Sequence, residues 1–231
     1  DVRIANVERF PGGSRATVEL PKARPVTLDL AVPGLHNVRN AAAAIAVVHA
    51  LGADVERAAA ALGRFTGVGR RFERLGEVAG VTVVDDYAHH PTEVAATLSA
   101  ARQAFPGRRV MAVFQPHLYS RTELHGEALG RALAAADVVV VAPIYGAREQ
   151  PMAGVTHHLV VRGAVRAGAA TVAVRDRDRL TAHVARVIRP GDVVFTLGAG
   201  DVTRVGPELL QLLGAGRGEP GAGVSTERGA A

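Results

Sequence analysis

Short apolar segments alternate with amphipathic ones from residue 72 to residue 213, and this alternation restricts the possible folds more than any other feature. The predicted strands are 72–78, 81–84, 110–114, 138–142, 171–174 and 193–197, and the predicted helices are 91–105, 122–135, 156–167, 179–188 and 202–213. Repeated strand and helix alternation is typical of a mostly parallel sheet covered by helices on both faces. The sequence therefore predicts an α/β fold for this region.

The first 66 residues follow a different pattern and predict a separate unit. Strand-like segments with turn residues between them precede two helices; the strands are 2–7, 16–20 and 26–32, and the helices are 36–51 and 55–62. Because the glycines of 65–69 are typical of a linker, we place a domain boundary there, with domains at 1–66 and 67–213. Glycine, alanine and charged residues dominate 214–231, which is predicted to be a disordered tail.

Polar residues follow the predicted strand 81–84 and form the first candidate site. The segment VTVVDDYAHHPT places Asp85, Asp86, His89 and His90 between a strand and a helix. Open α/β sheets bind ligands at the carboxyl ends of their strands. A carboxylate there can accept two ribose hydroxyls, and a histidine can bind an anion or transfer a proton. The alternatives are a turn former for Asp85, a helix cap for His90 and, ranked lower because ligands in so short a turn do not converge easily, a metal site.

Two further segments suit a nucleotide. In GLHNVRN, Asn37 and Asn40 are three residues apart and share a face near a helix N-terminus, where an amide can donate to and accept from one edge of adenine. In GRRFE, Arg70 and Arg71 stand at the domain boundary, from where a guanidinium can reach phosphate or ribose across a cleft. The structural alternatives are a helix cap and a surface residue for the asparagines, and an exposed salt bridge for the arginines.

Three other loops follow predicted strands. They read FQPHLYSRT over 114–122, APIYGAREQP over 142–151 and TLGAGD over 196–201. Arg121 at a helix start suits an anion. The glycines of the last loop allow a ligand to approach closely, although Gly-Ala-Gly also suits an ordinary tight turn. Because the carboxyl ends of parallel strands share one edge, we expect the four loops to converge.

Composition excludes several classes of function. The chain has no cysteine, so disulfides and thiolate chemistry are excluded, and a reducing, cytoplasmic location is expected. The formal net charge is +5, but the arginines are scattered among acids and form no stripe with interleaved aromatic residues, so no nucleic-acid partner is expected. No apolar segment is long enough to span a membrane, and no membrane insertion is expected.

These motifs, in this order, resemble the Mur ligase family. The matching segments are GLHNVRNAAAAIA, FTGVGRRFE, VDDYAHHPTEVAATL, VFQPHLYSRT, IYGAREQPMAGV and TLGAGD, and the resemblance covers residues 1–213. DDYAHHPTE together with FQPHLYSRT resembles the member that adds L-alanine. The resemblance implies a Rossmann-like, mostly parallel C-terminal domain at 67–213, preceded at 1–66 by the last part of a P-loop ATPase central domain.

The resemblance also implies a reaction in peptidoglycan precursor synthesis. ATP phosphorylates the carboxylate of UDP-N-acetylmuramate, the amine of L-alanine attacks the acyl phosphate, and ADP and phosphate leave. The implied cofactors are ATP and Mg²⁺, with the metal ligands expected upstream. The chain starts at Asp1 and contains no G-x-x-x-x-G-K-[ST] sequence, so we expect a fragment that is inactive alone. Another Mur-type ligase that recycles murein peptides, and a non-catalytic nucleotide-binding module, remain as alternatives.

The residue roles that the resemblance implies fall into three groups. The residues implied to bind the nucleotide are His36, Asn37, Asn40, Arg71 and Asp86. The implied catalytic residues, facing the muramate or alanine end, are His89, His117 and Arg121, and those implied for amino-acid selection are Tyr145, Arg148 and Glu149. No metal ligand is assigned within the chain. The chain departs from the family pattern at Leu118, where arginine is common, and at Arg148, where glycine is frequent, which suggests that one cation has moved.

Overall fold

A computed structural model describes residues 1–174 and 176–215 and contains two sheets. The first sheet belongs to residues 1–66, which we call the N-terminal part. Its elements are β1 (Arg3–Phe10), β2 (Gly13–Glu19), β3 (Val26–Leu30), α1 (Leu35–Ala50) and α2 (Val55–Gly63). The three strands are antiparallel in the order β1-β2-β3. Both helices pack on the sheet around a core that contains Val18, Leu28 and Ile45.

The second sheet belongs to the described residues from 67 to 215, which we call the C-terminal part. Its elements are β4 (Glu73–Val78), β5 (Val81–Asp86), α3 (Pro91–Ala104), β6 (Val110–Phe114), α4 (Tyr119–Leu133), β7 (Val138–Val141), α5 (His158–Arg166), β8 (Ala170–Ala173), α6 (Leu180–Val187), β9 (Val193–Leu197) and α7 (Val205–Ala215). The strand order is β4-β5-β9-β6-β7-β8. Only the β4–β5 pair is antiparallel among these described strands, so the predicted mostly parallel α/β sheet is confirmed.

Helices cover both faces of the six-stranded sheet because neighbouring residues of a strand point to opposite faces. In β5, Val84 joins the core under α3, α4 and α5, whereas Val83 joins the core under α6 and α7. β5, β6 and β9 are buried along their whole length, as the valine-rich segments predict. The ends of these strands lie side by side, since Leu197 pairs with both Asp86 and Phe114. The loops that follow them therefore share one edge.

Several predicted boundaries differ from the observed ones. α4 begins at Tyr119 and not at Thr122, because the N–H of Thr122 already donates to the carbonyl of Leu118 at 3.1 Å and so closes the first helical turn; the Thr122 hydroxyl donates to the same carbonyl at 2.7 Å. α5 begins at His158, and a short 3₁₀ turn precedes α7. α7 continues to Ala215, so the first two residues of the predicted tail are helical. The rest of that tail, 216–231, lies outside the described residues.

The two sheets lie on either side of the predicted boundary between residues 66 and 67. The assignment of the two parts to a central and a C-terminal domain stays a prediction. Within the described part of the chain, no helix is both long enough and apolar enough to cross a membrane.

Candidate functional site

A cleft of about 1020 Å³ lies between the N-terminal and C-terminal parts. One wall is formed by the β3–α1 loop and the start of α1, and the other by β4, the end of β5 and the first turns of α3. All five residues predicted to bind a nucleotide line this cleft; they are His36, Asn37, Asn40, Arg71 and Asp86. Their role stays a prediction, but the structure places them around one space.

The α1 wall is shaped by Gly34, which precedes the helix with φ at 100°. This φ favours glycine, and a Cβ atom on Gly34 would also lie 2.5 Å from the His36 ring and 3.0 Å from the Ala100 Cβ. Asn37 is not the helix cap that the structural alternative proposed; it donates from Nδ2 to the carbonyl of Pro33 at 2.7 Å. Burial lowers the pKa of His36, against the opposing effect of the Asp86 carboxylate, which favours a neutral imidazole in the cleft.

Arg70 and Arg71 are neighbours with different surroundings. Arg70 donates from Nε to Asp85 Oδ2 at 3.0 Å and from Nη2 to the carbonyl of Gly198 at 2.8 Å, which ties the start of β4 to the ends of β5 and β9. The Arg71 side chain is 53% exposed, lines the cleft and lies 3.9 Å from the Glu93 carboxylate. Arg71 is therefore the arginine that a ligand can reach.

Asp86 is buried and holds its own surroundings together. Its carboxylate accepts hydrogen bonds from the backbone N–H of Phe72 at 3.0 Å, the backbone N–H of Ala88 at 2.8 Å and the hydroxyl of Thr97 at 3.1 Å. Burial raises the pKa of Asp86, and these hydrogen bonds oppose the rise. The geometry gives Asp86 a structural role at the end of β5, and direct contact with a nucleotide stays a prediction.

The described residues of this chain do not fit a bound metal ion. Asp85 is buried and bonded to Arg70 and to the hydroxyls of Thr196 and Thr203, so it is more than a turn former. Its oxygens and those of Asp86 already accept from protein donors. Across residues 1–174 and 176–215, no group of three or more histidine, cysteine or acidic side chains is placed to hold a metal.

A second cluster lies at the ends of β5, β6 and β7. The ring centroids of His89 and His117 are 6.3 Å apart, and the rings of His117 and Tyr145 stack with centroids at 5.7 Å. Arg121 Nη1 lies 3.4 Å from His117 Nδ1. Burial, and then the charge of Arg121, lower the pKa of His117. A neutral His117 can accept a proton, and Arg121 can hold an anion beside it.

The loops of this second cluster are tied to each other by backbone and side-chain contacts. The N–H of Tyr145 donates to the carbonyl of Pro116 at 2.8 Å, which joins the loops after β6 and β7. Gly200, in the loop after β9, faces the same residues: a Cβ there would lie 2.7 Å from the Tyr145 ring and 2.4 Å from the Gln115 side chain. Gly200 of TLGAGD therefore serves close packing against Tyr145.

The other two residues predicted for amino-acid selection lie in different settings. Glu149 accepts from the backbone N–H of Ser120 at 2.9 Å and from its hydroxyl at 2.5 Å, so its carboxylate caps the start of α4. Arg148 is exposed, and it makes no hydrogen bond or ion pair with another described residue. The structure brings Tyr145 to the histidines but does not bring Arg148 there.

Glu93 was not singled out from the sequence, yet it lines the cleft and also contacts the second cluster. Its carboxylate accepts from the backbone N–H groups of His89 at 3.0 Å and His90 at 3.2 Å, and it lies 3.4 Å from His89 Nδ1. His90 in turn accepts from the N–H of Thr92, so the alternative of a helix cap is confirmed for His90. The capping box was missed because histidine replaces the usual serine or threonine.

The fold and the cleft define the class: an α/β protein with a large cleft at the carboxyl edge of a mostly parallel sheet, where proteins of this class bind their ligands. Residues 70–200, more than half of the chain, match the family described as Mur ligase, glutamate ligase domain. The chain belongs to the Mur ligase family.

Curated relatives are similar over most of this chain. The UDP-N-acetylmuramate–L-alanine ligase of Salinibacter ruber is 48% identical over 214 residues, which are 92% of this chain and 45% of that protein. The enzyme of the same name from Kineococcus radiotolerans is 50% identical over 213 residues, again 92% and 45%. The chain thus spans a little less than half the length of the relatives it matches.

Solved structures of Mur-type ligases are also similar to this chain. The UDP-N-acetylmuramate–alanine ligase of Thermotoga maritima is 27% identical with a TM-score of 0.76, over 94% of this chain and 46% of that one. A murein peptide ligase from Psychrobacter arcticus is 25% identical with a TM-score of 0.68, over 93% of this chain and 44% of that one.

Proposed function

We propose that this chain supplies part of the nucleotide cleft and the amino-acid side of an ATP-dependent ligase that joins L-alanine to UDP-N-acetylmuramate in peptidoglycan precursor synthesis in the cytoplasm. The observation that carries the proposal is that Glu93, at the start of α3, contacts Arg71 of the cleft and His89 of the second cluster. A ligase must hold its nucleotide and its acceptor close together, and a side chain shared by the cleft and the second cluster supports that arrangement. The relatives at 48% and 50% identity support L-alanine as the acceptor.

In this proposal the cleft holds ATP. His36, Asn37 and Asn40 hold the adenine, and Arg71 approaches the phosphates from the opposite wall. The γ-phosphoryl group passes to the muramate carboxylate: a bond forms between a carboxylate oxygen and the γ-phosphorus, the bond from the γ-phosphorus to the bridging oxygen of ADP breaks, and ADP leaves. The acyl phosphate must then be kept from water, and closure of the two walls around the nucleotide excludes it.

The second cluster acts on the acceptor. Neutral His117 can accept a proton from the alanine ammonium group, which must lose one before its nitrogen attacks the acyl carbon. Arg121 pairs with a carboxylate, and Tyr145 limits the space for the amino-acid side chain. The attack forms the amide bond and breaks the acyl–phosphate bond, and phosphate leaves.

Two requirements of the reaction are not met by this chain. It contains no G-x-x-x-x-G-K-[ST] sequence to cradle the phosphates, and its described residues do not fit Mg²⁺. We derive no step through the metal. In the proposal, both functions belong to the part of such a ligase that this chain does not cover, and the chain alone does not turn over.

The test is a substituted ligase, in which this chain replaces the segment of the Kineococcus radiotolerans relative with which it aligns. Phosphate release is measured with ATP and UDP-N-acetylmuramate, with and without L-alanine, and the unaltered relative is the control. We expect L-alanine-dependent release from the substituted ligase and none from this chain alone. Folded substituted protein without release would contradict the proposal and favour a non-catalytic module. Release only when a murein tripeptide replaces L-alanine, with UDP-N-acetylmuramate still present, would favour a recycling ligase.

A further inference from the structure

One side chain joins the two parts of the chain by hydrogen bonds. Gln103 lies near the end of α3, and its Nε2 donates to the carbonyls of Phe10 at 3.1 Å and Gly13 at 2.7 Å and to the hydroxyl of Ser14 at 3.3 Å. Its Oε1 accepts from the N–H of Gly34 at 3.2 Å. Within residues 1–174 and 176–215, every hydrogen bond between the N-terminal and C-terminal parts involves this amide.

The contact is continuous with the cleft along one face of α3. Ala96, Ala100 and Gln103 follow each other at spacings of four and three residues, so they share that face. Ala96 lines the cleft. Ala100 packs against Gly34 so closely that a Cβ atom added to Gly34 would lie 3.0 Å from the Cβ of Ala100. Gln103 therefore acts about two helical turns from the cleft, on the residue that begins the opposite wall.

Through Gly34, the hydrogen bond to Gln103 restrains residues that are predicted to bind the nucleotide. It is the residue before α1, and His36 and Asn37 lie within the first turn that follows it. A hydrogen bond on the N–H of Gly34 thus restrains the point from which the α1 wall starts. The same amide group restrains the β1–β2 turn on its other side, through Phe10 and Gly13.

We propose that Gln103 is a positioning residue, which holds the α1 wall of the cleft at a fixed distance from the α3 wall. An amide is required because the contact needs a donor and an acceptor on one short group. In Gln103→Glu, one carboxylate oxygen can still accept from the N–H of Gly34. The other oxygen replaces the donor and lies against the carbonyls of Phe10 and Gly13, which it repels. The proposal concerns the geometry of the cleft and goes beyond the choice of substrate.

The first test uses the full 231-residue chain and hydrogen–deuterium exchange. In Gln103→Glu and Gln103→Ala, we expect exchange in segments 8–14 and 33–40 to become about 10-fold faster. Exchange in 110–114 and 193–197, inside the six-stranded sheet, is expected to stay unchanged. The control is Ser99→Ala, an exposed position on α3, which should leave all four segments as they are.

Two results would overturn the proposal. One is unchanged exchange in 8–14 and 33–40 in both variants. The other is a uniform increase that includes the six-stranded sheet, because Gln103 would then support overall stability and not the relative position of the walls.

A second readout rests on the proposed function. In the substituted ligase, Gln103→Glu is expected to raise the KM for ATP about 10-fold and to change kcat less than about twofold, because the wall is displaced but the reacting groups are intact. An unchanged KM for ATP would contradict the positioning role. If the substituted ligase without further changes is inactive, the proposed function fails, and the exchange experiment still decides the role of Gln103.

Discussion

Replacement of Asp86 by alanine is expected to lower the free energy of unfolding by about 3 kcal/mol, because two buried donors and one half-buried donor lose their acceptor at once. The donors are the N–H groups of Phe72 and Ala88 and the hydroxyl of Thr97. Urea denaturation of the 231-residue chain measures the change. Thr97→Val, which removes one of the three hydrogen bonds, is the matched control and should cost about 1 kcal/mol.

The pH dependence of this difference has a defined sign. Burial raises the pKa of Asp86 in the folded chain, so the folded state binds the proton more tightly than the unfolded state. The corresponding contribution to stability is present below the ordinary pKa of an aspartate and is lost as pH rises through the raised value. The difference between the wild type and Asp86→Ala should therefore widen as pH falls from about 7 toward about 4. A loss below about 1 kcal/mol in Asp86→Ala at pH 7 would contradict the structural role.

Alanine substitutions at Arg70 and Arg71 are expected to affect different properties, stability for Arg70 and the use of ATP for Arg71. Arg70→Ala removes the cation from Asp85, whose side chain is 1% exposed, and should lower the free energy of unfolding by about 2 kcal/mol. Arg71 is half exposed and its ion pair with Glu93 is long, so Arg71→Ala should change that free energy by less than about 0.5 kcal/mol. In the substituted ligase, however, Arg71→Ala should lower kcat/KM for ATP by about 10-fold or more.

The two measurements of this pair are urea denaturation and steady-state kinetics with ATP varied. Each arginine serves as the control for the other, since the substitutions are chemically identical and adjacent. Equal destabilisation by both substitutions would contradict the assignment of Arg70 to structure. Unchanged ATP kinetics in Arg71→Ala would contradict the assignment of Arg71 to the cleft.

Local patterns were sufficient to predict most of the fold of this chain. Segments such as 110–114 and 193–197 are valine-rich and are buried on both faces, and that burial is why they read as parallel strands. The strand order was not predictable in the same way. β9 lies between β5 and β6, and this position depends on contacts between residues more than 80 positions apart along the chain, such as Val193 with Val110.

The site was partly predictable for a similar reason. Asn37 and Asn40 share a helix face by spacing alone, and the structure places both at the cleft. Which of two adjacent arginines faces the cleft depends on Asp85 and Gly198, which approach Arg70 only after folding. The role of Glu149 in amino-acid selection stays a prediction, and its cap of α4 could not be predicted because its partner Ser120 lies 29 positions away along the chain.

Gln103 shows the limit of sequence reasoning most clearly. It stands in an ordinary stretch of helix, and its partners are 69 to 93 residues earlier in the chain. No motif or periodicity connects positions so far apart. Its hydrogen bonds to the N-terminal part become visible only in the folded structure.

The cleft between the two parts is proposed to bind a nucleotide. The most direct measurement is a titration of the ¹⁵N-labelled 231-residue chain with a non-hydrolysable ATP analogue, followed through the backbone amide signals. We expect saturable shifts in residues 34–40 and 69–74, with a Kd of about 1 mM because the chain has no phosphate-cradling loop. Absence of shifts in both segments at about 10 mM analogue, with the chain folded, would contradict the claim.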